Sequence, residues 1–240
     1  MAPETDPPNN AVWYFAAMST EKDVLNAQRK QWDTNFANRP EMFGEAPSDP
    51  AQKVIGVLKL EGKNNLLELG GGQGRDTFFF ARNGLQVTML DYSQIAVDTV
   101  IAKAHASGLG NLVTAIRHDV REQLPFESGT FDAVFSHMLY CMPITNAEVE
   151  RLSQEIYRVL KAGGLDVFTV RHTLDPHYGT GIHRGEEMYE VGGFIVNFFD
   201  RAKVERVSKG YEIVSVDEFD EGGMPRRLFR VTLRKPPELP

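Results

Sequence analysis

Short apolar runs alternate with amphipathic stretches through the middle of the chain. The apolar runs, each five to seven residues long, predict buried strands at 65–69, 86–90, 113–118, 131–136 and 165–171. Between them, apolar residues recur at helical spacing and predict helices at 75–83, 94–107 and 146–160. Strands that alternate with helices are typical of βαβ units, whose right-handed crossovers place the strands parallel in one sheet.

The two ends of the chain carry different patterns. Helices are predicted at 20–38, between a Thr20 N-cap and Pro40, and at 50–59. After a helix at 200–209, strands at 211–219 and 227–235 have only the turn 220–225 between them and must pair as an antiparallel hairpin. The predicted fold is therefore α/β and doubly wound, with a mostly parallel, seven-stranded sheet and a C-terminal antiparallel hairpin. We expect a disordered or loosely attached N-terminus at 1–19, a helical cap at 20–60 and the main domain at 61–236.

Composition restricts the class of protein. The 240 residues are 42% apolar and 25% charged, which is ordinary for a globular domain. The net charge of −7 argues against a nucleic acid partner, because phosphate binding needs a basic surface. Cys141 is the single cysteine, which excludes an intramolecular disulfide and a cysteine-based metal site. No apolar run has the length of a membrane span and no signal peptide is evident, so we expect a cytoplasmic monomer or homodimer that has no membrane partner.

A glycine-rich turn follows the first strand of the predicted sheet. Gly70, Gly72 and Gly74 have G-x-G-x-G spacing, whereas dinucleotide sites need G-x-G-x-x-G. Glu68 precedes the turn, and its carboxylate would attract a cationic amino-acid group and repel a pyrophosphate. The alternative for Glu68 is a partner for the backbone or the helix dipole, and the alternative for the glycines is a tight turn without a ligand.

Acidic residues also follow the next two strands. Asp91 can accept hydrogen bonds from both ribose hydroxyls, or it can cap the next helix, a role that Ser93 can also fill. Tyr92 can pack on an adenine ring, and Asp119 can accept from the adenine amino group or be an ordinary turn residue. The backbone amide of Val120 can donate to a ring nitrogen. These positions favour S-adenosyl-L-methionine (SAM), which has an ammonium, a sulfonium and no phosphate.

The ordered set of motifs resembles the class I SAM-dependent methyltransferases over residues 66–170. The set consists of Glu68-Leu-Gly-Gly-Gly-Gln-Gly74, Asp91, Asp119-Val120, Phe131-Asp-Ala-Val134 and Leu160-Lys-Ala-Gly163-Gly164. The resemblance implies a Rossmann-like methyltransferase fold and SAM as the cofactor. It implies SAM contacts at Glu68, Gly70, Gly72, Gly74, Asp91, Tyr92, Asp119, Val120 and Ser136.

A closer likeness is to the tellurite-resistance and thiopurine methyltransferase group. Gly72-Gln-Gly74-Arg-Asp76 is similar to its first motif, and Trp32-Asp33 with Phe43-Gly44 is similar to its N-terminal entry. One feature departs from the group. Its tellurite-type members have a His-Arg pair in the C-terminal hairpin, where this chain reads Phe219-Asp-Glu221, and His183-Arg184 lies in another segment.

Methyl transfer is an in-line displacement, so the enzyme must hold the nucleophile in line with the methyl group. A base is needed only for acceptors that are not already ionised. The transfer needs no metal, and we expect none. The candidate catalytic residues are His137 after the fourth strand, Arg171 after the fifth, and His183 in the glycine-bearing loop 173–187, which could act as a lid. Tyr140 and His177 also lie near the predicted acceptor site, whereas Cys141 is expected in the core.

The expected acceptor is a small molecule. It is either a soft nucleophile, such as a thiol or a chalcogen oxyanion, or a natural-product hydroxyl or amine. A protein or peptide acceptor, a SAM-binding module without catalysis and a nicotinamide oxidoreductase are the alternatives. Trp32, Phe36 and Phe43 either cover the cofactor or only pack the N-terminal segment.

Overall fold

Five parallel strands form the centre of the molecule. The computed structural model describes residues 21–222 and 226–237. The five strands are β1 (Asn65–Leu69), β2 (Gln86–Asp91), β3 (Val113–Arg117), β4 (Phe131–His137) and β5 (Leu160–His172). They lie in the order β3-β2-β1-β4-β5, and each neighbouring pair is parallel. All five predicted strands are present, although β5 begins at Leu160 because the preceding helix leads directly into it.

A helical layer covers each face of this sheet. The connecting helices are α3 (Arg75–Arg82), α4 (Gln94–Ala106) and α5 (Asn146–Val159). One apolar cluster joins the sheet to α5 through Val149 and Ile156, and another joins it to α3 and α4 through Phe80 and Val100. A capping box between Thr145 and Glu148 sets the start of α5. The doubly wound arrangement is thereby confirmed.

The C-terminal hairpin completes the sheet. It follows helix α6 (Arg201–Val207) and consists of β9 (Glu212–Glu221) and β10 (Arg226–Arg234). β10 pairs antiparallel with β5 and with β9, which extends the order to β3-β2-β1-β4-β5-β10-β9. The predicted seven-stranded sheet with its antiparallel hairpin is confirmed. The hairpin also places Glu221 and Arg226 at the same edge as the carboxyl ends of β4 and β5.

Three further strands were not predicted from the sequence. They are β6 (Ile182–His183), β7 (Met188–Val191) and β8 (Phe194–Phe199), which pair antiparallel in chain order. β8 also pairs with the last two residues of β5. The predicted loop 173–187 therefore contains a strand, and the unassigned segment after it is part of a small antiparallel extension. These strands have two to six residues each, which is too short for alternation to be distinctive.

Two helices precede the first strand of the sheet. The first, α1 (Glu21–Asn38), lies over the carboxyl edge of the sheet, with Leu25 packed on Met188 and Ile195. The second, α2 (Asp49–Leu60), packs its buried face in the same apolar cluster as α3. Neither of them, nor any other helix within residues 21–222 and 226–237, has the length and apolar composition to cross a membrane. The predicted segment 1–19 lies outside the described residues.

Candidate active site

A large cavity lies between the carboxyl edge of the sheet and helix α1. Its volume is about 820 Å³, within the usual range for small-molecule sites. The glycine turn and Asp91 line one end, and His137, Arg171 and Glu221 line the other. The switch in strand order between β1 and β4 places the opening where open α/β sheets bind ligands.

The glycine turn adopts a backbone that other residues avoid. Gly72 and Gly74 have φ values of 55° and 87°, in the left-handed region. A Cβ atom on Gly74 would lie 2.7 Å from the Phe78 ring, so α3 can begin here only without a side chain. A Cβ on Gly72 would lie 3.4 Å from Phe36 of α1. The turn therefore needs glycine both for its conformation and for the close approach of its neighbours.

Glu68 lies buried beneath the turn and lines the cavity. Its Oε2 accepts a hydrogen bond from Thr77 Oγ1 at 2.5 Å. Burial, with a further contribution from the nearby Asp76 carboxylate, raises the pKa of Glu68 to about 8. With this pKa the carboxyl group is largely protonated at neutral pH, and a cation beside it would favour ionisation.

Asp91 joins the end of β2 to the glycine turn. Its two carboxylate oxygens accept from the backbone N–H groups of Gly72 and Ser93, each at 2.9 Å. Burial raises the pKa of Asp91 to about 6 despite these hydrogen bonds. The side chain of Ser93, rather than Asp91, caps α4 by accepting from the N–H of Ala96.

Tyr92, Asp119 and Val120 line the cavity as neighbours of Asp91. The Tyr92 hydroxyl is buried and has no hydrogen-bond partner within the described part of the chain. Asp119 is held by Arg121, whose Nη2 lies 2.7 Å from its Oδ2. Burial acts to raise the pKa of Asp119, but the hydrogen bonds from Arg121 outweigh it and lower this pKa. Arg121 also donates to Asn26, which ties this end of the cavity to α1.

Two residues predicted for the site lie outside the cavity. Ser136 is fully buried on the face of β4 that carries Val134, because side chains alternate along a strand, and it does not line the cavity. His183 is exposed on β6, where its Nε2 lies 2.9 Å from the carbonyl oxygen of Glu186. Neither side chain lines the cavity, and the roles expected of Ser136 and His183 stay predictions. Tyr140 is likewise buried, stacked on Phe168 in the core.

His137 lines the cavity and contacts two residues that the sequence did not indicate. Its Nδ1 lies 2.9 Å from Thr169 Oγ1 on β5, and its Nε2 lies 3.2 Å from Glu221 Oε1 at the end of β9. Burial acts to raise the pKa of Glu221, but the hydrogen bond and charge of His137, with the charges of Arg75 and Arg226, lower it overall. Only the long-range pairing of β10 with β5 brings Glu221 here, and no local pattern predicts that contact.

Arg171 lines the cavity, but its charge is already matched. Its guanidinium group forms a bidentate pair with Asp175, at 2.8 and 2.5 Å, and lies 3.1 Å from His177 Nδ1. The N–H of Arg171 donates to the Cys141 sulfur at 2.8 Å. Burial raises the pKa of the Cys141 thiol to about 12, so this thiol is neutral and belongs to the core.

Aromatic side chains form the roof of the cavity. The Trp32 ring lies 5.5 Å from Phe36, 6.2 Å from Phe43 and 5.4 Å from Phe194 of β8, measured between ring centroids. All four side chains line the cavity. Trp32, Phe36 and Phe43 were expected either to cover the cofactor or only to pack the N-terminal segment. Both roles are compatible, because the rings pack together and also cover the cavity.

Two polar residues of the glycine motif hold the N-terminal segment in place. Gln73 accepts from the N–H of Met42 and donates to the carbonyl oxygens of Phe36 and Arg39. Asp76 accepts from both the N–H and the hydroxyl of Ser48. The motif therefore connects the cavity floor to the chain segments that enclose it.

Comparison with known proteins agrees with this architecture. A family model described as a methyltransferase domain matches residues 66–164. The matched residues run from the first strand, β1, to the glycines near the start of β5, and include the glycine turn and Asp91. Domains of this family depend on SAM, whose cationic groups suit the buried carboxyl groups of Glu68 and Asp91.

Individual relatives differ in how much of the chain they match. Phosphoethanolamine N-methyltransferase 1 of Triticum aestivum is 31% identical over 150 residues, which are 61% of this chain and 26% of that protein. The chain thus spans about a quarter of the length of the curated relatives it matches.

Solved structures share the fold of this chain. The 1,6-didemethyltoxoflavin-N1-methyltransferase of Burkholderia thailandensis, solved with S-adenosylhomocysteine (SAH), has a TM-score of 0.70 and 17% identity, with 92% of each chain covered. TehB of Haemophilus influenzae has a TM-score of 0.61 and 14% identity, covering 85% of this chain and 67% of its own. At these identities the likeness is one of fold. Membership of the tellurite-resistance and thiopurine group stays a prediction.

Proposed function

We propose that the chain transfers a methyl group from SAM to a small-molecule acceptor. The observation that carries the proposal is a single cavity that joins the acidic glycine end, with Glu68 and Asp91, to the polar end at His137 and Arg171. The aromatic side chains of the roof cover part of the space between the two ends, which favours the exclusion of water that group transfer requires.

Residues at the glycine end suit each part of SAM. Glu68 would face the ammonium group, and the turn of Gly70, Gly72 and Gly74 would allow the amino-acid moiety to approach the backbone. Asp91 would accept from the ribose. Tyr92, Asp119 and Val120, which line this end of the cavity, would surround the adenine. When bound, SAM supplies a methyl group on a positively charged sulfur.

A small acceptor agrees with the size and cover of the cavity. A volume of about 820 Å³ is at the upper part of the usual range for small-molecule sites, and residues of α1 and β8 line the cavity. The names of phosphoethanolamine N-methyltransferase and 1,6-didemethyltoxoflavin-N1-methyltransferase indicate small acceptors for those proteins. The partial cover that α1 and the aromatic side chains give the cavity favours a small acceptor over a protein or peptide.

Ligand-dependent melting tests cofactor binding. SAM at about a hundred times its Kd should stabilise the protein by about 2.7 kcal/mol, which raises Tm by roughly 5–11 °C. Glu68→Ala and Asp91→Ala should each weaken SAM binding at least about tenfold, whereas Glu127→Ala, an exposed acidic residue outside the cavity, should not. Protection by NADH but not by SAM or SAH would contradict the proposal.

Turnover tests the transfer itself. SAH release should depend on an added small molecule from a panel of amines, phenols, thiols, selenite and tellurite. SAM binding without SAH release for any acceptor, including whole-cell extracts, would favour the alternative of a SAM-binding module without catalysis.

A further inference from the structure

The polar end of the cavity contains a carboxylate that belongs to none of the SAM-binding motifs. Glu221 is the last residue of β9, lines the cavity, and has a side chain that is 24% exposed. It lies at the edge of the sheet formed by β4, β5 and the hairpin, away from Asp91 on β2. Its Oε1 is 3.2 Å from His137 Nε2.

A chain of hydrogen bonds determines the role of His137. The N–H of Met138 donates to Thr169 Oγ1 at 2.9 Å, so the Thr169 hydroxyl is free to donate its own proton to His137 Nδ1, also at 2.9 Å. The arrangement that satisfies every group then puts a proton on Nε2, which donates to Glu221. Both ring nitrogens of His137 are occupied, and neither has a lone pair available to an acceptor.

Glu221 is ionised and only partly neutralised. Burial acts to raise its pKa, but His137 on β4, Arg75 on α3 and Arg226 on β10 together lower it. Arg75 is itself paired with Asp76. Arg226 lies 3.7 Å from Glu221, and its side chain is 44% exposed, so solvent weakens this pair. The carboxylate therefore keeps negative charge directed at the cavity.

A carboxylate of this kind distinguishes among nucleophiles. It is too weak a base to remove the proton of a hydroxyl group efficiently, since general bases work best with a pKa near the operating pH. It repels a thiolate or a chalcogen oxyanion. It stabilises positive charge, which moves from sulfur to nitrogen when a neutral amine is methylated.

We propose that Glu221 binds the nitrogen of an amine acceptor, held in place by His137 and Thr169. This inference rests on the proposed methyltransferase function. The amine reacts in its neutral form, after an ammonium proton has passed to solvent. The nitrogen lone pair then forms the N–C bond, the C–S bond breaks with its electron pair left on sulfur, and the products are SAH and a methylated ammonium. The N–H proton leaves to solvent after product release. Trp32, Leu139 and Phe194 line the same cavity, so the amine is attached to an apolar or aromatic body.

Binding of three matched aromatic probes to the SAH-loaded protein tests the acceptor class. Benzylamine, benzyl alcohol and benzoate differ mainly in charge, and we expect benzylamine to bind at least about tenfold more tightly than benzoate, a difference of about 1.4 kcal/mol. Glu221→Gln should remove this preference. Asp220→Asn is the matched control, because it removes the neighbouring charge, which pairs with Arg227 and does not line the cavity.

Several results would overturn the inference. They are tighter binding of benzoate, no binding of any probe at millimolar concentration, or an unchanged preference in Glu221→Gln. SAH binding is measured on the same samples. Its absence would count against the proposed function, whereas SAH binding with the wrong probe order counts only against the amine acceptor.

The pH profile separates positioning by His137 from a structural role. His137→Ala should move the acidic limb of benzylamine binding to higher pH, because Glu221 loses the partner that lowers its pKa. His137→Gln retains an N–H donor and should restore part of the shift. A lower affinity in His137→Ala with an unchanged acidic limb would show that His137 does not act through Glu221.

Discussion

Burial controls the protonation of the carboxyl groups at the glycine end of the cavity. Glu68 and Asp91 are both more than nine-tenths buried, and their pKa values are raised to about 8 and about 6. A group that is neutral in the empty site and ionised beside a cation couples ligand binding to proton release.

SAM binding near pH 7 should release close to one proton, chiefly from Glu68. The affinity should rise with pH from about 6 to about 7.5, by up to tenfold per pH unit, because the protonated acid must ionise before it can pair with the ammonium. Binding enthalpies measured in two buffers of different ionisation enthalpy give the number of protons. Glu68→Gln should abolish the release and Glu127→Gln should not. Equal release in wild type and Glu68→Gln would show that another group titrates.

Asp166 is a buried acid outside the cavity. It lies on β5 opposite Val134, and neither of its carboxylate oxygens has a hydrogen-bond partner within the described residues. Burial raises its pKa to about 8, whereas the unfolded value is about 3.9. The folded state therefore keeps its proton up to about pH 8, and this group makes the free energy of unfolding fall as pH rises from about 4 to about 8.

Asp166→Asn should stabilise the protein, and the gain should be larger at pH 8 than at pH 5. We expect a difference of at least about 1 kcal/mol, or roughly 2–4 °C in Tm. Thermal melts at both pH values measure it, with Asp217→Asn, a partly exposed ion-pair residue, as the control. A gain that is the same at both pH values would contradict a neutral buried Asp166.

Helix α1 is the element that encloses the cavity. Its buried Gln28 accepts from the N–H of Ile195 at 3.2 Å and donates to the carbonyl of Gly193 at 3.1 Å. Asp33 accepts from Ser93 Oγ at the other side of the sheet. The roof is therefore attached both to the β8 extension and to the start of α4.

Gln28→Ala should loosen this roof. It removes the side-chain partner of the Ile195 N–H and of the Gly193 carbonyl, at a cost of about 1–3 kcal/mol. Hydrogen exchange of α1 should quicken and SAM binding should weaken. Thr34→Ala is the control, because Thr34 is exposed and donates only to Lys30 within its own helix. An unchanged rate of hydrogen exchange in α1 of Gln28→Ala would show that other contacts hold the helix in place.

The net charge of the whole molecule determines whether it can bind polyanions such as nucleic acids. With a net charge of −7 and an apparent isoelectric point of about 5.4, the chain lacks the excess of cations that polyanion binding needs. The choice between monomer and homodimer stays a prediction.

The protein should not bind transfer RNA or duplex DNA at physiological salt, about 0.15 M. Fluorescence anisotropy with labelled nucleic acids measures this, and the same titration at low salt is the control for weak electrostatic contact. A Kd below about 1 µM, tighter than ordinary non-specific binding, would contradict the prediction.

The parallel sheet, the hairpin and the position of the glycine turn could all be predicted from the order of residues in the chain. These follow from periodicity and from residues adjacent in the chain, as in Glu68 with Gly70 to Gly74 and Ser93 at the start of α4. The motifs alone did not determine whether the chain belongs to the tellurite-resistance and thiopurine group, or which acceptor it methylates.

The residues that meet at the far end of the cavity could be identified from the folded chain and not from local sequence. Glu221 reaches His137 through the pairing of β10 with β5, while side-chain alternation on β4 turns Ser136 into the core and β6 carries His183 away from the cavity. Contacts between residues far apart in sequence depend on strand register and packing, which local patterns do not encode.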